Sequence, residues 1–109
     1  MRQVQPGKIL RIHISESDRW QNQPLYEAIV ARCRELKIAG ATVLAGLEGY
    51  GATAEMHKAH LVHSNRPILI VIVDTPANID RLVPVVAEMM DTGLMAASDV
   101  ETIRVETGV

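Results

Sequence analysis

Alternation of apolar and polar residues sets the first element. In Lys8-Ile9-Leu10-Arg11-Ile12-His13-Ile14 the side chains of Leu10, Ile12 and Ile14 share one side of a period-2 pattern, with Ile9, Arg11 and His13 on the other. SESDRWQNQP then breaks the pattern with polar residues, and Pro24 suits a first helical turn. From Leu25 the spacing becomes helical: Leu25, Ile29, Cys33 and Leu36 lie near one stripe, with Glu27, Arg32, Arg34 and Glu35 mostly outside it. This helix is expected to stop within residues 37–40. Residues 41–47 predict a second strand, weakened by its alanines and Gly46. GLEGYGATAEMHKAHLVHSN follows without a clean period, and then ILIVIV at 68–73 reads as a central strand. Thr75 and Pro76 form a helix N-cap and first-turn pair. Leu82, Val85, Val86 and Met89 supply the face of this second helix, Pro84 predicts a bend or a split, and Gly93 suits its end. Residues 100–105 predict a last, half-exposed strand.

The order βαββαβ predicts an α+β, ferredoxin-like domain spanning residues 1–109: a four-stranded antiparallel sheet with two helices on one face. A small doubly wound parallel sheet would need a crossover helix in residues 50–65, where AEMHKAHLVH offers only two turns. In the antiparallel arrangement the 68–73 strand places about three aliphatic side chains on the uncovered face, which predicts self-association through the sheet.

Composition narrows the class of function. The 109 residues are 48% hydrophobic with no phenylalanine, so the core is aliphatic, and Trp20, Tyr26 and Tyr50 are the only aromatic residues. A formal net charge of -2 gives no general drive toward nucleic acid or an anionic membrane. The single cysteine, Cys33, excludes an internal disulfide framework and a multi-cysteine zinc site. MRQVQPGKILRI lacks the apolar run of a secretory signal, and no apolar stretch approaches a membrane-spanning helix, so a cytoplasmic chain without membrane insertion is expected.

Among candidate chemical groups, Gly46, Gly49 and Gly51 either expose main-chain N–H groups to an anion or serve turning, a bulge or subunit packing. There is no P-loop ending and no dinucleotide-binding glycine motif. His57, His60 and His63, spaced three apart, would offer neighbouring imidazoles on a helix, but no cysteine or recognisable zinc motif accompanies them, so no metal site is assigned. Glu16, Asp18 and Arg19 bind a polar ligand or form a salt-bridged elbow between subunits, with Trp20 as its anchor. Neither Glu16 with Asp18 nor Glu48 with Glu55 shows an acid–base arrangement, and Cys33 has no base partner on its apolar stripe. No enzymatic activity and no cofactor are predicted.

ESDRW at 16–20, PLYEAIV at 24–30, IAGATVLAGLEGYG at 38–51, SNRPILIVIVD at 64–74 and GLMAASDVETIRV at 93–105 together resemble the small bacterial PII-like proteins, fold relatives of the nitrogen-regulatory PII signalling proteins. The resemblance covers roughly residues 8–105. It implies a homotrimer built around packed sheets, a long target-contacting loop between the second and third strands, here residues 49–66, and clefts between subunits for a nucleotide or small anionic metabolite. Thr42 and Val43 resemble the family's threonine-valine pair, Gly49, Tyr50 and Gly51 its glycine-aromatic-glycine start of the loop, and Asn65-Arg66-Pro67 its return. On that basis Thr42, Gly49, Tyr50, Gly51 and Arg66 are the candidate ligand-binding residues. The chain departs from the PII pattern near Ile68, where PII proteins carry a phosphate-contacting lysine, and at residues 93–99, which contain no basic residue. The expected function is regulatory signalling through the loop. The alternative is a non-signalling structural or metal-binding oligomer.

Overall fold

The computed structural model describes residues 2–50, 56–58 and 65–107, with the main chain alone at 56–58. Its elements are β1 (Arg2–Ser15), β2 (Arg19–Trp20), β3 (Gln23–Pro24), α1 (Leu25–Glu35), β4 (Thr42–Ala45), β5 (Glu48–Tyr50), β6 (Met56–Lys58), β7 (Pro67–Asp74), α2 (Pro76–Met89) and β8 (Leu94–Val105). The main sheet has the order β4-β7-β1-β8, and every neighbouring pair is antiparallel. With its two helices this is the ferredoxin-like α+β arrangement that the hydrophobic pattern predicts.

Register explains the core. Leu10 lies opposite Ile72, Ile12 opposite Ile70 and Ile14 opposite Ile68, so six aliphatic side chains of the two central strands share one face, and all are buried. Leu25, Ala28, Ile29 and Cys33 of α1 and Ile79, Leu82, Val86 and Met89 of α2 close over them. Burial pushes the Cys33 thiol up to about 11, consistent with a packing role.

The opposite face carries no helix. One cross-strand row there runs Leu44, Leu69, His13, Leu94, and the next runs Thr42, Val71, Arg11, Ala96. Of the three central-strand aliphatic side chains expected there, Val73 is 41% exposed while Leu69 and Val71 are half-buried, and the edge strands add Leu44 at 50% and Leu94 at 62%.

Several boundaries differ from the sequence expectation. β1 begins at Arg2 and β8 at Leu94, because the two strands pair along their length although QVQPG and LMAASD lack a large-apolar alternation. Residues 19–24 form a small hairpin in which Gln21 and Asn22 take φ of 47° and 67°, the left-handed pair that a two-residue turn uses. Pro24 is therefore the N-cap of α1 rather than part of its first turn. α1 ends at Glu35, short of Gly40. Lys37 adopts φ 63°, its N–H donates to the Arg34 carbonyl at 3.2 Å, and the Ile38 N–H donates to the Cys33 carbonyl at 2.9 Å. This is a Schellman ending built on lysine, secured by the burial of Ile38 beside Cys33. β4 spans only four of the seven expected residues. In α2 the Thr75 Oγ1 accepts from the Asn78 N–H at 3.2 Å, as the cap reading requires, and the helix runs through Pro84 without splitting.

Candidate functional site at the root of residues 49–66

The chain leaves β1 at Ser15 and re-enters the sheet through Asn65 and Arg66, and these two points are tied together. The Glu16 N–H donates to the Arg66 carbonyl at 2.8 Å. In return the Arg66 guanidinium donates from Nε to Glu16 Oε1 at 2.8 Å and from Nη2 to Oε2 at 2.6 Å, a bidentate ion pair. Beside it, Ser15 Oγ and Ser17 Oγ both donate to Asn65 Oδ1, at 2.9 and 3.0 Å. Asp18 fixes the turn itself by accepting from the Ser15 N–H at 2.8 Å. The elbow expected at residues 16–19 thus exists, but it is closed within one chain by a residue from the far end of the 49–66 segment. Arg19 serves the hairpin, donating to the Asn22 carbonyl at 2.8 Å, and Trp20 packs half-buried against the core.

The glycines have separate roles. The Gly46 N–H donates to the Pro67 carbonyl at 2.7 Å, and a Cβ on Gly46 would stand 2.7 Å from Pro67 Cγ, so close approach of two strands requires glycine there. At Gly49 the same Cβ would meet Pro67 Cγ at an ordinary 3.5 Å, and its φ is not positive. Gly49 lies in β5 opposite His57 of β6, a short ladder absent from the sequence reading, which treated this stretch as irregular. Tyr50, next to it, is 73% exposed. Gly51, His60, His63 and the His57 side chain lie outside the described residues.

Of the candidate ligand residues, Gly49 and Arg66 therefore lie beside Pro67, and Tyr50 follows Gly49 in β5. Thr42 does not join them within one chain. It lies opposite Val71, four positions along β7 from Pro67, which is about 13 Å of strand, and it is exposed on the edge of the sheet.

A second polar constellation, missed by sequence reasoning, centres on Asp74. Its Oδ2 accepts from the Ala39 N–H at 2.8 Å, and its Oδ1 accepts from the Thr75 N–H at 2.6 Å and the Asn78 amide at 3.0 Å. Burial pushes this carboxyl up, but the three hydrogen bonds and the Arg81 charge outweigh burial and hold it below the usual carboxylate range. Asp74 borders a recess of about 220 Å³ that Gln5, Ile103 and Arg104 also line. The sequence signal was its position immediately before the Thr75-Pro76 cap. Among the described residues no three His, Cys, Asp or Glu side chains converge as metal ligands, and no helix is long and apolar enough to cross a membrane.

The Glu16 carboxyl is held below its ordinary 4.5, first by the Arg66 hydrogen bond and against the opposing effect of burial. Its contribution to stability is full above the unfolded value and is lost as pH falls through the lower folded value. Thermal melts from about pH 6 to about pH 2.5 should therefore show wild type losing an advantage over Glu16→Gln as the solution becomes acidic. A constant difference between the two proteins across that range would show that the ion pair does not stabilise the root.

Comparison with known proteins places these features in a family. The chain is 34% identical over 98 residues to a UPF0166 protein of Aquifex aeolicus, covering 88% of this chain and 92% of that one. It is 34% identical over 104 residues to a UPF0166 protein of Methanocaldococcus jannaschii, covering 93% and 95%. Its fold matches that of CPII, a nitrogen regulatory PII-like protein from Thiomonas intermedia K12 whose structure holds ADP, AMP and bicarbonate, with a TM-score of 0.69, 17% identity, and 92% and 98% of the two chains covered. The model of the DUF190 family, described as Uncharacterized ACR, matches residues 7–102, and the chain belongs to that family, whose fold is the one PII-like signalling proteins share.

Proposed function

We propose that this chain is the subunit of a PII-like regulatory homotrimer that takes a small anionic metabolite or nucleotide in clefts between subunits and reports occupancy to a protein partner through residues 49–66. The observation that carries the reading is the placement of Arg66. An arginine has five N–H donors, and Glu16 engages Nε and Nη2, so the outer donors of a 42% exposed guanidinium remain available at the root of the segment. A phosphate or carboxylate accepting from those donors would couple directly to the point where the segment joins β7. The ADP, AMP and bicarbonate held by CPII are anions of this class.

The position of Thr42 favours a cleft shared by two subunits. It is remote from Arg66 in its own chain but lies on the sheet's edge, where a neighbouring subunit can bring its own Gly49 and Arg66 alongside. The uncovered rows through Leu44, Leu69, His13 and Leu94 favour burial of the sheet face in the same assembly. Light scattering at micromolar concentration is expected to return the mass of three chains, and calorimetry with adenine, guanine and cyclic nucleotides and with bicarbonate is expected to find a ligand. A stable monomer would end the trimer reading. A trimer that binds none of these compounds but retains divalent metal on elemental analysis would favour the structural or metal-binding alternative.

A further inference from the structure

β7 pairs with β1 from Lys8 to Ser15, and before Lys8 the sheet narrows to a two-stranded ribbon of residues 2–7 against residues 100–105. Arg11 lies midway along the wider part, on one of its two central strands, and its register partners Val71 and Ala96 place it on the open face. Register also sorts the charges of the sheet. Asp74 and Asp99 lie opposite Lys8, and Glu101 lies opposite Pro6, so every carboxylate of β1, β4, β7 and β8 falls on the helix-bearing side. The open side of the same strands carries Arg11, His13 and, out on the ribbon, Arg104, with no acid among them. The Arg11 side chain is half-buried and makes no hydrogen bond or ion pair among the described residues.

The trimer proposed above packs this face against copies of itself. Cyclic symmetry repeats every contact, so the centre of the face points at the axis while the β4 and β8 edges meet the neighbours. Arg11 stands about 10 Å of sheet from Thr42 on the β4 edge, which separates it from the cleft assigned to Thr42 and Arg66. Packed sheets lie roughly 10 Å apart, within the combined reach of two arginine side chains. Three guanidinium groups therefore converge where the face itself supplies no carboxylate. Arginine keeps its proton, so titration cannot relieve their repulsion, and burying an unpaired charge is strongly unfavourable. A counter-anion resolves both. A tetrahedral oxyanion has a threefold axis of its own and can present one oxygen to each guanidinium, a charge-assisted contact of the strong class. His13, two residues along the same strand and on the same face, adds an imidazole N–H. We infer that Arg11 of the three subunits holds one phosphate or sulfate on the symmetry axis, at a site separate from the clefts.

This inference rests on the oligomer proposed above, and stoichiometry separates the two. In equilibrium dialysis of the full chain against radiolabelled phosphate, the axial site takes one phosphate per three chains, whereas a cleft site takes one per chain. Arg66→Ala should retain one per three chains, and Arg11→Gln should lose that phosphate. An anion held only by the assembled state also opposes dissociation. With phosphate at about ten times its own dissociation constant, the dissociation constant of the wild-type trimer, followed by sedimentation on dilution, should fall roughly tenfold relative to chloride at equal ionic strength. Arg11→Gln should abolish that response. Either variant decides if the other fails to assemble. A trimer that takes no phosphate, one that loses all of it with Arg66→Ala, or an Arg11→Gln trimer that keeps one per three chains overturns the axial site and leaves the trimer standing. A monomeric wild type overturns both.

Discussion

An Arg66→Ala variant is expected to bind whichever nucleotide or anion the wild type takes roughly 10- to 150-fold more weakly, the range for losing a charge-assisted hydrogen-bonded contact. Truncation also strands Glu16, whose side chain is only 12% exposed, so reduced affinity alone would not separate ligand contact from a disturbed root. Glu16→Gln supplies the separation. It removes the carboxylate charge while keeping the guanidinium, so it should weaken the root yet leave affinity for an anion unchanged or higher. Calorimetry on the two variants checks this. If both lose affinity equally, Arg66 acts by holding the root together, and its assignment as a ligand residue falls.

The parts of this molecule that could be read in advance are those whose cause is local in sequence. Leu10, Ile12 and Ile14 declare a buried strand face by alternation, the unbroken run from Ile68 to Val73 declares a central strand, and Thr75-Pro76 declares a helix start. What escaped reading depends on partners distant in the chain or on backbone states that no residue type announces. The ribbon exists because residues 2–7 meet residues 100–105, not because either stretch has a strand pattern. The hairpin turn uses Gln21 and Asn22, and the end of α1 uses Lys37, where glycine is the usual marker of a left-handed backbone. The Glu16–Arg66 pair joins residues 50 positions apart, so both were named as candidates without being recognised as partners. Glycine misled in the other direction. Gly46 answers to the ring of Pro67, and the described glycine that needs a positive φ is not in the glycine-rich stretch at all.

That residue is Gly93, and Gly93→Ala is expected to destabilise the subunit by about 2–4 kcal/mol in urea unfolding. Its φ is 136°, a conformation that costs any L side chain, and the added Cβ would stand 2.5 Å from Met90 Cε, 2.8 Å from the His13 carbonyl oxygen and 3.3 Å from Ile14 Cγ2. Met90 can swing aside because its side chain is flexible. The His13 carbonyl cannot, since it belongs to β1, paired with β7 on one side and β8 on the other. Gly40→Ala is the matched control: no atom lies within 4 Å of its Cβ position and its φ is not positive, so it should change stability by less than about 1 kcal/mol. The effect at Gly93 should also reach the assembly. The next residue, Leu94, lies opposite His13 in the exposed row of the open sheet face, so backbone that shifts to relieve the clash moves a side chain expected at the subunit interface. A Gly93→Ala protein as stable as wild type would mean that the turn from α2 into β8 relaxes freely, and a Leu94 position that tolerates such movement would no longer support burial of this row between subunits.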